Sequence, residues 1–281
     1  MSSLLIIYSK HTKHIAINEA KRFKDVEFLE VAKDQYSTII NMKTEKDFVM
    51  GIGGGSILDI SKIIAQDRRC LVIPTTAAGA SSTAFATVWR EIKDSVKTQT
   101  PILLHRKNQS INLPHKVLIS TICDALAHAI ESFWSKNANN RSKRLSRKAI
   151  KYLMKYFKKQ QIEDLIKAGV IAGEAINITK TNIIHAISYP LTIHYDICHG
   201  LACGYLLIPI INYVNDKRLP KLFGFKNKYQ IISFIRKNLL LERLKIKKPE
   251  LLANLALKYL RIHESPKKVD KRSLINVLSD M

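Results

Sequence analysis

The sequence predicts an α/β domain with a parallel sheet over residues 1–120, followed by an all-helical domain over residues 121–281. Two patterns lead to this fold class. Short β-branched runs alternate with helix-spaced apolar segments in the first part, which is typical of a parallel sheet with crossover helices. From Asp124 onward the strand patterns disappear, and apolar residues recur at helical spacing instead.

The predicted elements follow in order along the chain. Strands are expected at residues 4–9, 26–31, 48–53 and 70–74, with the helical segments INEAKRF and SILDISKIIAQ between them. Helices are expected at residues 124–135, 144–157, 162–178, 200–214, 228–243 and 249–262. The last of these opens with Pro249, and proline suits the first turn of a helix.

The composition indicates a folded protein without a membrane span. Of the 281 residues 46% are hydrophobic, so the chain can bury a sizeable core. The longest apolar run, residues 201–214, is too short to cross a bilayer, and no basic segment precedes the apolar residues near the start. Neither a membrane anchor nor a signal peptide is therefore expected. The four cysteines form no CxxC pair, which predicts a reduced, cytoplasmic protein.

The net charge of +23 is high, and most of it lies in the second domain. Residues 1–120 hold 17 basic and 11 acidic side chains, whereas residues 121–281 hold 29 and 12. Such an excess favours anionic partners, although abundant Ile and Asn indicate that an AT-rich genome alone would produce it. A basic protein that binds nucleic acid is one alternative. No aromatic-rich or recognition-helix pattern supports it, so nucleic acid is not the expected partner.

Three consecutive glycines stand between a predicted strand and a predicted helix. Gly53, Gly54 and Gly55 lack Cβ atoms, so a diphosphate can approach this backbone closely, and Ser56 and Asp59 lie in the following helical turns. A nucleotide cofactor fits such a turn. The alternative is a tight connection without a ligand, because the spacing is not G-x-G-x-x-G.

The segment PTTAAGASST, residues 74–83, follows the next predicted strand. Its hydroxyl side chains, among them Thr75, Thr76 and Ser81, are suited to contact phosphate or ribose. An ordinary polar loop is the alternative interpretation.

A candidate metal site lies in the helical half. Asp124 and His128 are four residues apart, so on a helix their side chains are neighbours. His185 and His199 lie fourteen apart, on either side of Pro190, where a kink or turn would let them converge from two elements. One carboxylate and three imidazoles suit Fe²⁺ or Zn²⁺. The alternative for the first pair is a surface contact between Asp and His.

Four motifs together resemble the iron-containing (group III) alcohol dehydrogenase family. They are GGGSILDISK, PTTAAGASS, DALAHAIE and HAISYPLTIHYDICHG, and they occur in the family's order over residues 48–205. The resemblance implies a dehydroquinate synthase-like architecture, NADH or NADPH as cofactor, and a metal ion that polarises an aldehyde during hydride transfer. It assigns the metal to Asp124, His128, His185 and His199, and the cofactor to Gly53, Gly54, Gly55, Ser56, Asp59, Thr75, Thr76 and Ser81.

Within this family the segments AHAIESFWS, AGEAINITKT and HAISYPLT are most similar to the phosphonoacetaldehyde reductase branch. This similarity implies reduction of a small anionic aldehyde, phosphonoacetaldehyde, to 2-hydroxyethylphosphonate. Tyr189 or His194 would relay the proton, and Lys180 and Thr181 would bind the anionic tail. Dehydrogenases for simple alcohols or polyols, and a non-catalytic basic protein on the same scaffold, are the alternatives.

The sequence also departs from the family pattern. Tyr189 stands where many members have a second histidine, Ala78, Gly79, Ala80 and Ser82 replace most of the usual second loop, and the chain is shorter than typical members. A minimal reductase and a decayed one are both compatible with these departures. An acidic residue after the second strand, such as Glu30, favours NADH, whereas Lys33 favours NADPH. A homodimer is the expected assembly.

Overall fold

The computed structural model describes residues 2–32, 39, 41–77, 79–89, 93–104 and 113–281. Lys33 and Ala78, which were considered above, lie outside the described residues. The chain divides into two compact units, Met1–Asn112 and Leu113–Met281. The division precedes the predicted boundary at residue 120, because the first helix of the second unit already begins at His115.

The N-terminal unit contains a five-stranded sheet in the order β2-β1-β3-β4-β7, and all of its pairings are parallel. The strands of this sheet are β1 (Ser3–Tyr8), β2 (Asp25–Glu30), β3 (Phe48–Gly53), β4 (Arg69–Pro74) and β7 (Ile102–Leu103). Strands β5 (Phe85–Trp89) and β6 (Lys93–Lys97) form a separate antiparallel hairpin. The hairpin and β7 were not predicted, whereas the other four strands match the predicted ones to within one residue at each end.

Both faces of this sheet are covered. Leu5 and Ile7 of β1 pack with Ile57, Leu58 and other residues of helix α2 (Gly55–Ala65). Leu4 and Ile6 point to the other face and pack in the same cluster as Ala16 of helix α1 (Lys13–Ala20). Because successive side chains of a strand point in opposite directions, β1 is apolar throughout, as expected of a strand buried on both faces.

Among the described residues, the C-terminal unit contains helices and no strand. Its helices are α3 (His115–Trp134), α4 (Asn140–Lys159), α5 (Ile162–Thr179), α6 (Ile183–Tyr195), α7 (His199–Val214), α8 (Leu219–Phe223), α9 (Lys228–Leu239), α10 (Pro249–Leu257) and α11 (Lys271–Ser279). Within the described part of the chain, only α3 is long and apolar enough to cross a membrane, and 72% of that apolar stretch is buried inside the fold. Such burial is typical of a core helix.

The helical unit differs from the sequence prediction around Pro190. A kink or turn was expected there, but Pro190 lies inside α6, and the chain instead reverses after Asp196, which adopts the left-handed conformation. A proline within a helix removes one backbone hydrogen bond, and burial of Ile183, Ile187 and Leu191 offsets this loss. Helix α9 also ends earlier than predicted, because Leu240 has a positive φ that stops the helix.

Candidate metal centre and nucleotide turn

Helix α3 supplies the first two residues of the candidate metal centre. Asp124 and His128 are one turn apart, and the Nε2 atom of His128 lies 3.7 Å from Oδ1 of Asp124. Asp124 is buried, with 9% of its surface exposed, so this pair is not the surface contact considered as the alternative.

Helices α6 and α7 bring two further imidazoles to the same carboxylate. His185 is in the first turn of α6, and its Nε2 lies 3.6 Å from Asp124 Oδ1. His199 begins α7, and its Nε2 lies 3.8 Å from the same oxygen. The structure therefore gathers all four predicted ligands, and the turn that allows this is the segment between the two helices rather than Pro190.

Cys203 joins this cluster and was not singled out from the sequence. Its buried Sγ atom lies 3.9 Å from Nε2 of His199. One donor atom from each of Asp124, His185, His199 and Cys203 lies within 4.8 Å of all the others. The available signal was the spacing from His199 to Cys203, which is the same one-turn spacing that paired Asp124 with His128.

Two glycines explain why α7 packs so closely against α3. A Cβ atom on Gly200 would lie 2.0 Å from the carbonyl oxygen of Ser120, and one on Gly204 would lie 2.5 Å from Sγ of Cys123. Both distances are shorter than the closest approach of a Cβ atom to a non-bonded atom. Glycine at these positions therefore permits the contact that places His199 and Cys203 beside Asp124.

The carboxylate of Glu131 fixes the start of α6. It is fully buried, accepts hydrogen bonds from the backbone N–H groups of Asn182, Ile184 and His185, and lies 2.7 Å from Nδ1 of His185. Because a carboxylate only accepts, Nδ1 carries the proton, and Nε2 is left to face Asp124. Glu131 belongs to the DALAHAIE motif but was assigned no role from the sequence.

A serine orients His199 in a similar way. The hydroxyl of Ser188 donates to the carbonyl oxygen of His185 and lies 3.4 Å from Nδ1 of His199. Since its proton is directed to the carbonyl, the hydroxyl oxygen accepts from Nδ1–H. Nε2 of His199 is then the nitrogen that faces Asp124 and Cys203.

The electrostatics of the cluster favour a cation. Burial alone would raise the pKa of Asp124, but His128, His185 and His199 outweigh it and hold that pKa well below its usual range. Burial alone would lower the pKa of His185, but Cys203, Glu131 and Asp124 raise it well above its ordinary value. The Asp124 carboxylate is thus kept ionised, and the carboxylates of Asp124 and Glu131 both lie beside the imidazole of His185.

The residues present fit a metal ion. Asp124 Oδ1 and His185 Nε2 are buried and have no hydrogen-bond partner among the described residues. A buried oxygen and a buried nitrogen without partners cost free energy unless a bound species satisfies them. The donor set of carboxylate, imidazole and thiol is one that Zn²⁺ and Fe²⁺ accept.

Tyr189 lies next to this cluster, whereas His194 does not. The ring of Tyr189 stacks on His199 at 5.5 Å and contacts the ring of Tyr259 at 5.3 Å. Thr181 lies 2.6 Å from the hydroxyl of Tyr259. Burial, together with Tyr259, raises the pKa of Tyr189 well above its ordinary value, so its hydroxyl stays protonated. His194 is exposed in the last turn of α6.

Lys180 adopts an unusual backbone conformation. Its φ of 63° and ψ of 166° fall in a region that is essentially restricted to glycine, and its Nζ donates to the carbonyl oxygen of Asn177 at 2.6 Å. Lys180 therefore caps its own helix, α5. Strained positions of this kind are found preferentially at functional sites.

In the N-terminal unit, the glycine turn joins β3 to α2. Gly54 precedes the first turn of α2, and no side chain of the described residues caps the backbone N–H groups there. Thr75 follows β4 and donates its N–H to the carbonyl oxygen of Gly53. An uncapped helix N-terminus beside hydroxyl residues can bind phosphate. Ser56 is exposed and Thr76 half-buried at this position, while Ser81 is fully buried.

Gly53 also has a packing role. A Cβ atom there would lie 2.8 Å from the Cβ atom of Ile57, so the absence of a side chain allows α2 to pack against the end of β3. Among the described residues, a Cβ on Gly54 would contact the side chain of Thr76 alone, at 3.3 Å. The alternative interpretation, a tight connection, therefore accounts for Gly53 more readily than for Gly54.

Asp59 is held by protein groups rather than turned towards the open helix end. It forms an ion pair with buried Lys62 at 2.8 Å and accepts a hydrogen bond from the N–H of Thr87. Lys62 in turn donates to the carbonyl oxygens of Ala80 and Phe85. Asp59 and Lys62 thus tie α2 to the second loop and to β5, a role different from the predicted contact with cofactor.

Replacing Asp59 by asparagine is expected to lower the free energy of unfolding by about 1–3 kcal/mol, because Lys62 loses its only described carboxylate partner while remaining buried. Denaturant unfolding of the full chain measures this. Asp67→Asn, at an exposed residue in the turn after α2, is the matched control. Equal stability of the two variants would contradict the conclusion that Asp59 and Lys62 hold α2 to the second loop and to β5.

The two units define the class of protein. The fold is shared with the solved structure of an iron-containing alcohol dehydrogenase from Thermotoga maritima, with a TM-score of 0.84 and 20% identity over 99% of this chain and 91% of that chain. The description "Iron-containing alcohol dehydrogenase" matches residues 2–104, and "Fe-containing alcohol dehydrogenase family, C-terminal" matches residues 118–236. The chain belongs to the iron-containing alcohol dehydrogenase family.

The sequence identity to individual curated relatives is below 30% for the two described next. The chain is 28% identical to a phosphonoacetaldehyde reductase of Streptomyces viridochromogenes, over 59% of this chain and 53% of that protein. It is 26% identical to a long-chain-alcohol dehydrogenase of Geobacillus thermodenitrificans, over 63% and 55%. The matches thus span about half the length of these curated relatives.

A solved structure shares the fold. The structure of sulfoacetaldehyde reductase from Bifidobacterium kashiwanohense in complex with NAD⁺ matches with a TM-score of 0.80 and 21% identity. The match covers 99% of this chain and 90% of that one.

Proposed function

We propose that the protein is a metal-dependent reductase that uses NADH or NADPH to convert a small aldehyde to an alcohol. The observation that carries this proposal is the buried cluster in which Asp124 Oδ1 and His185 Nε2 lie 3.6 Å apart and have no hydrogen-bond partner in the described part of the chain. Family membership supports the same chemistry.

Asp124, His128, His185 and His199 are the predicted residues that hold the metal. When bound, Fe²⁺ or Zn²⁺ supplies Lewis-acid polarisation of a carbonyl group. Glu131 and Ser188 then orient His185 and His199 through their Nδ1 atoms. Tyr189 is the candidate proton donor, because its hydroxyl stays protonated and its ring stacks on His199. The exposure of His194 makes it the weaker candidate.

The glycine turn is the proposed nucleotide site. Backbone N–H groups of Gly54, Gly55 and Ser56 would bind the diphosphate, with Thr75 and Thr76 beside it. Gly53 and Ser81 would shape this site rather than contact the cofactor, because Gly53 packs on Ile57 and Ser81 is buried. NAD⁺ in the matched sulfoacetaldehyde reductase supports a nicotinamide cofactor.

Phosphonoacetaldehyde is the proposed substrate. The 28% identical relative is named for this activity, and the helical half carries most of the positive charge. Thr181 lies at the edge of the Tyr189–Tyr259 cluster and Lys180 precedes it, so both remain candidates for the anionic tail. The long-chain-alcohol dehydrogenase relative supports a neutral substrate as the second candidate. Four free cysteines agree with the expected cytoplasmic location, and a homodimer is the proposed assembly.

Metal analysis of protein purified without chelators, combined with NADH and NADPH oxidation, tests the proposal. One bound ion per chain is expected, together with a higher kcat/KM for phosphonoacetaldehyde than for propanal. Asp124→Asn is expected to abolish both metal binding and activity. The matched control is Asp196→Asn, an exposed left-handed position that asparagine also tolerates.

Two results would count against parts of this proposal. Retention of metal and activity by Asp124→Asn would contradict the site. Equal rates with phosphonoacetaldehyde and propanal would contradict the anionic substrate while leaving the reductase chemistry intact.

A further inference from the structure

Tyr259 contacts Tyr189, the candidate proton donor. The two rings meet edge to face, with centroids 5.3 Å apart and planes at 81°. The hydroxyl of Tyr259 lies 2.6 Å from Oγ1 of Thr181. The hydroxyl of Tyr189, whose ring stacks on His199, is hydrogen-bonded to both of these residues. Three hydroxyl groups, from the start of α6, its second turn and the segment after α10, thus form one hydrogen-bonded network beside the candidate metal centre.

The backbone around Tyr259 holds this side chain in place. Tyr259 lies between α10 and a short 3₁₀ helix, Leu260–Glu264. Its N–H donates to the carbonyl oxygen of Ala256, and its own carbonyl oxygen accepts from the N–H of Ile262. Ala256 and Ile262 are fully buried, and α10 packs against α6. The position of the Tyr259 hydroxyl is therefore set by helix packing.

The network can pass a proton along its members. Each hydroxyl group donates one hydrogen bond and can accept others, so a closed arrangement in which each donates once and accepts once satisfies all three. Hydrogen bonds in such a chain polarise one another. When the proton of one hydroxyl leaves, a neighbouring hydroxyl can therefore replace it.

We infer that Tyr259 holds the hydroxyl of Tyr189 in place and restores its proton after each reduction. Tyr259 acts through Tyr189 rather than on the substrate, so it is a positioning residue. The inference rests on the proposed function and deepens it, because it names the source of the proton that Tyr189 donates.

The proton balance of the reaction requires such a source. Reduction of an aldehyde adds a hydride to carbon and a proton to oxygen. As the O–H bond of the product forms, the O–H bond of Tyr189 breaks, and one proton must return to Tyr189 from solvent in every turnover. Thr181 and Tyr259 are both partly exposed. A phenol gives up its proton more readily than an aliphatic alcohol, so Tyr259 is the more effective of the two sources.

The metal-loaded full chain tests this inference as wild type, Tyr259→Phe and Tyr213→Phe. Tyr259→Phe keeps the ring and removes only the hydroxyl. We expect its kcat to fall at least about tenfold, with a larger solvent deuterium isotope effect than in wild type. The KM values for aldehyde and cofactor should change by less than about twofold, because substrate binding is not affected. Metal content should equal that of wild type.

Tyr213→Phe is the matched control. Tyr213 is also a half-buried tyrosine of the helical unit, and its hydroxyl donates to the carbonyl oxygen of Lys268, away from the candidate metal centre. Its replacement removes one comparable hydrogen bond, so wild-type kcat is expected. Circular dichroism checks that both variants are folded.

NMR of protein labelled with ¹³C at the Cζ atoms of tyrosine gives a readout that needs no activity. The Tyr189 resonance, identified from its loss in Tyr189→Phe, is expected to shift in Tyr259→Phe and to stay unchanged in Tyr213→Phe. An unshifted resonance overturns the inference, and so does equal kcat of Tyr259→Phe and Tyr213→Phe. Loss of metal together with activity in Tyr259→Phe would assign Tyr259 a purely structural role and overturn it too. Failure of the proposed function differs, because wild type itself would then oxidise neither NADH nor NADPH with an aldehyde.

Discussion

Replacing Glu131 by alanine is expected to lower the free energy of unfolding by about 3–5 kcal/mol and the metal affinity by about 10–100-fold. The carboxylate accepts hydrogen bonds from three backbone N–H groups at the start of α6 and from Nδ1–H of His185. All four hydrogen bonds are buried. Without it these donors lose their partner, and the ring of His185 is no longer held. Denaturant unfolding and chelator competition measure the two effects.

Two further variants make this result interpretable. Glu174→Ala, at an exposed position within α5, is the control for loss of a helical glutamate and is expected to stay within about 0.5 kcal/mol of wild type. Glu131→Gln keeps the side-chain shape, so it separates folding from metal binding: it should retain most of the stability yet bind metal more weakly. Wild-type metal affinity in both Glu131 variants would contradict the orienting role.

Replacing Gly200 by alanine is expected to lower the free energy of unfolding by about 3 kcal/mol. The new methyl group would overlap the carbonyl oxygen of Ser120, which belongs to the backbone of α3 and cannot rotate away. Helix α7 must therefore move outward, and with it His199. We expect metal affinity to fall together with stability, as measured by the same two assays.

Gly224→Ala is the matched control for this substitution. Gly224 has a φ of +73° but open space where a Cβ would lie, so alanine costs only backbone strain there, about 1 kcal/mol. It should leave metal affinity unchanged. If Gly200→Ala were no more destabilising than Gly224→Ala, the close approach of α7 to α3 would not be needed.

The strands and most helices could be predicted because their signals are local. The apolar runs of β1 and β3 and the helical spacing in α5 depend on neighbouring residues alone. The hairpin of β5 and β6 has no such run, and β7 is only two residues long. The helix around Pro190 was missed because packing of its buried side chains overrides the local preference of proline.

The sequence indicated which residue types could bind a metal, but not which side chains the fold would place in contact with one another. Asp124 and the histidines were singled out because carboxylates and imidazoles are common metal ligands, whereas Cys203 resembles an ordinary buried side chain. The role of Glu131 depends on a helix start that lies 51 to 54 residues further along the chain. Asp59 was expected near phosphate, but the direction of its side chain depends on how α2 packs beside β5.

Helix α7 carries a candidate metal donor and a close-packed glycine in each of its first two turns. His199 is followed by Gly200, and Cys203 by Gly204, so each donor stands next to the residue that lets the helix approach its neighbour. The reach of both donors is therefore set by helical register rather than by a loop. Inserting one residue between His199 and Cys203 would rotate one donor by about 100° relative to the other. Surface loops tolerate insertions and deletions, but a helix that carries both donors does not.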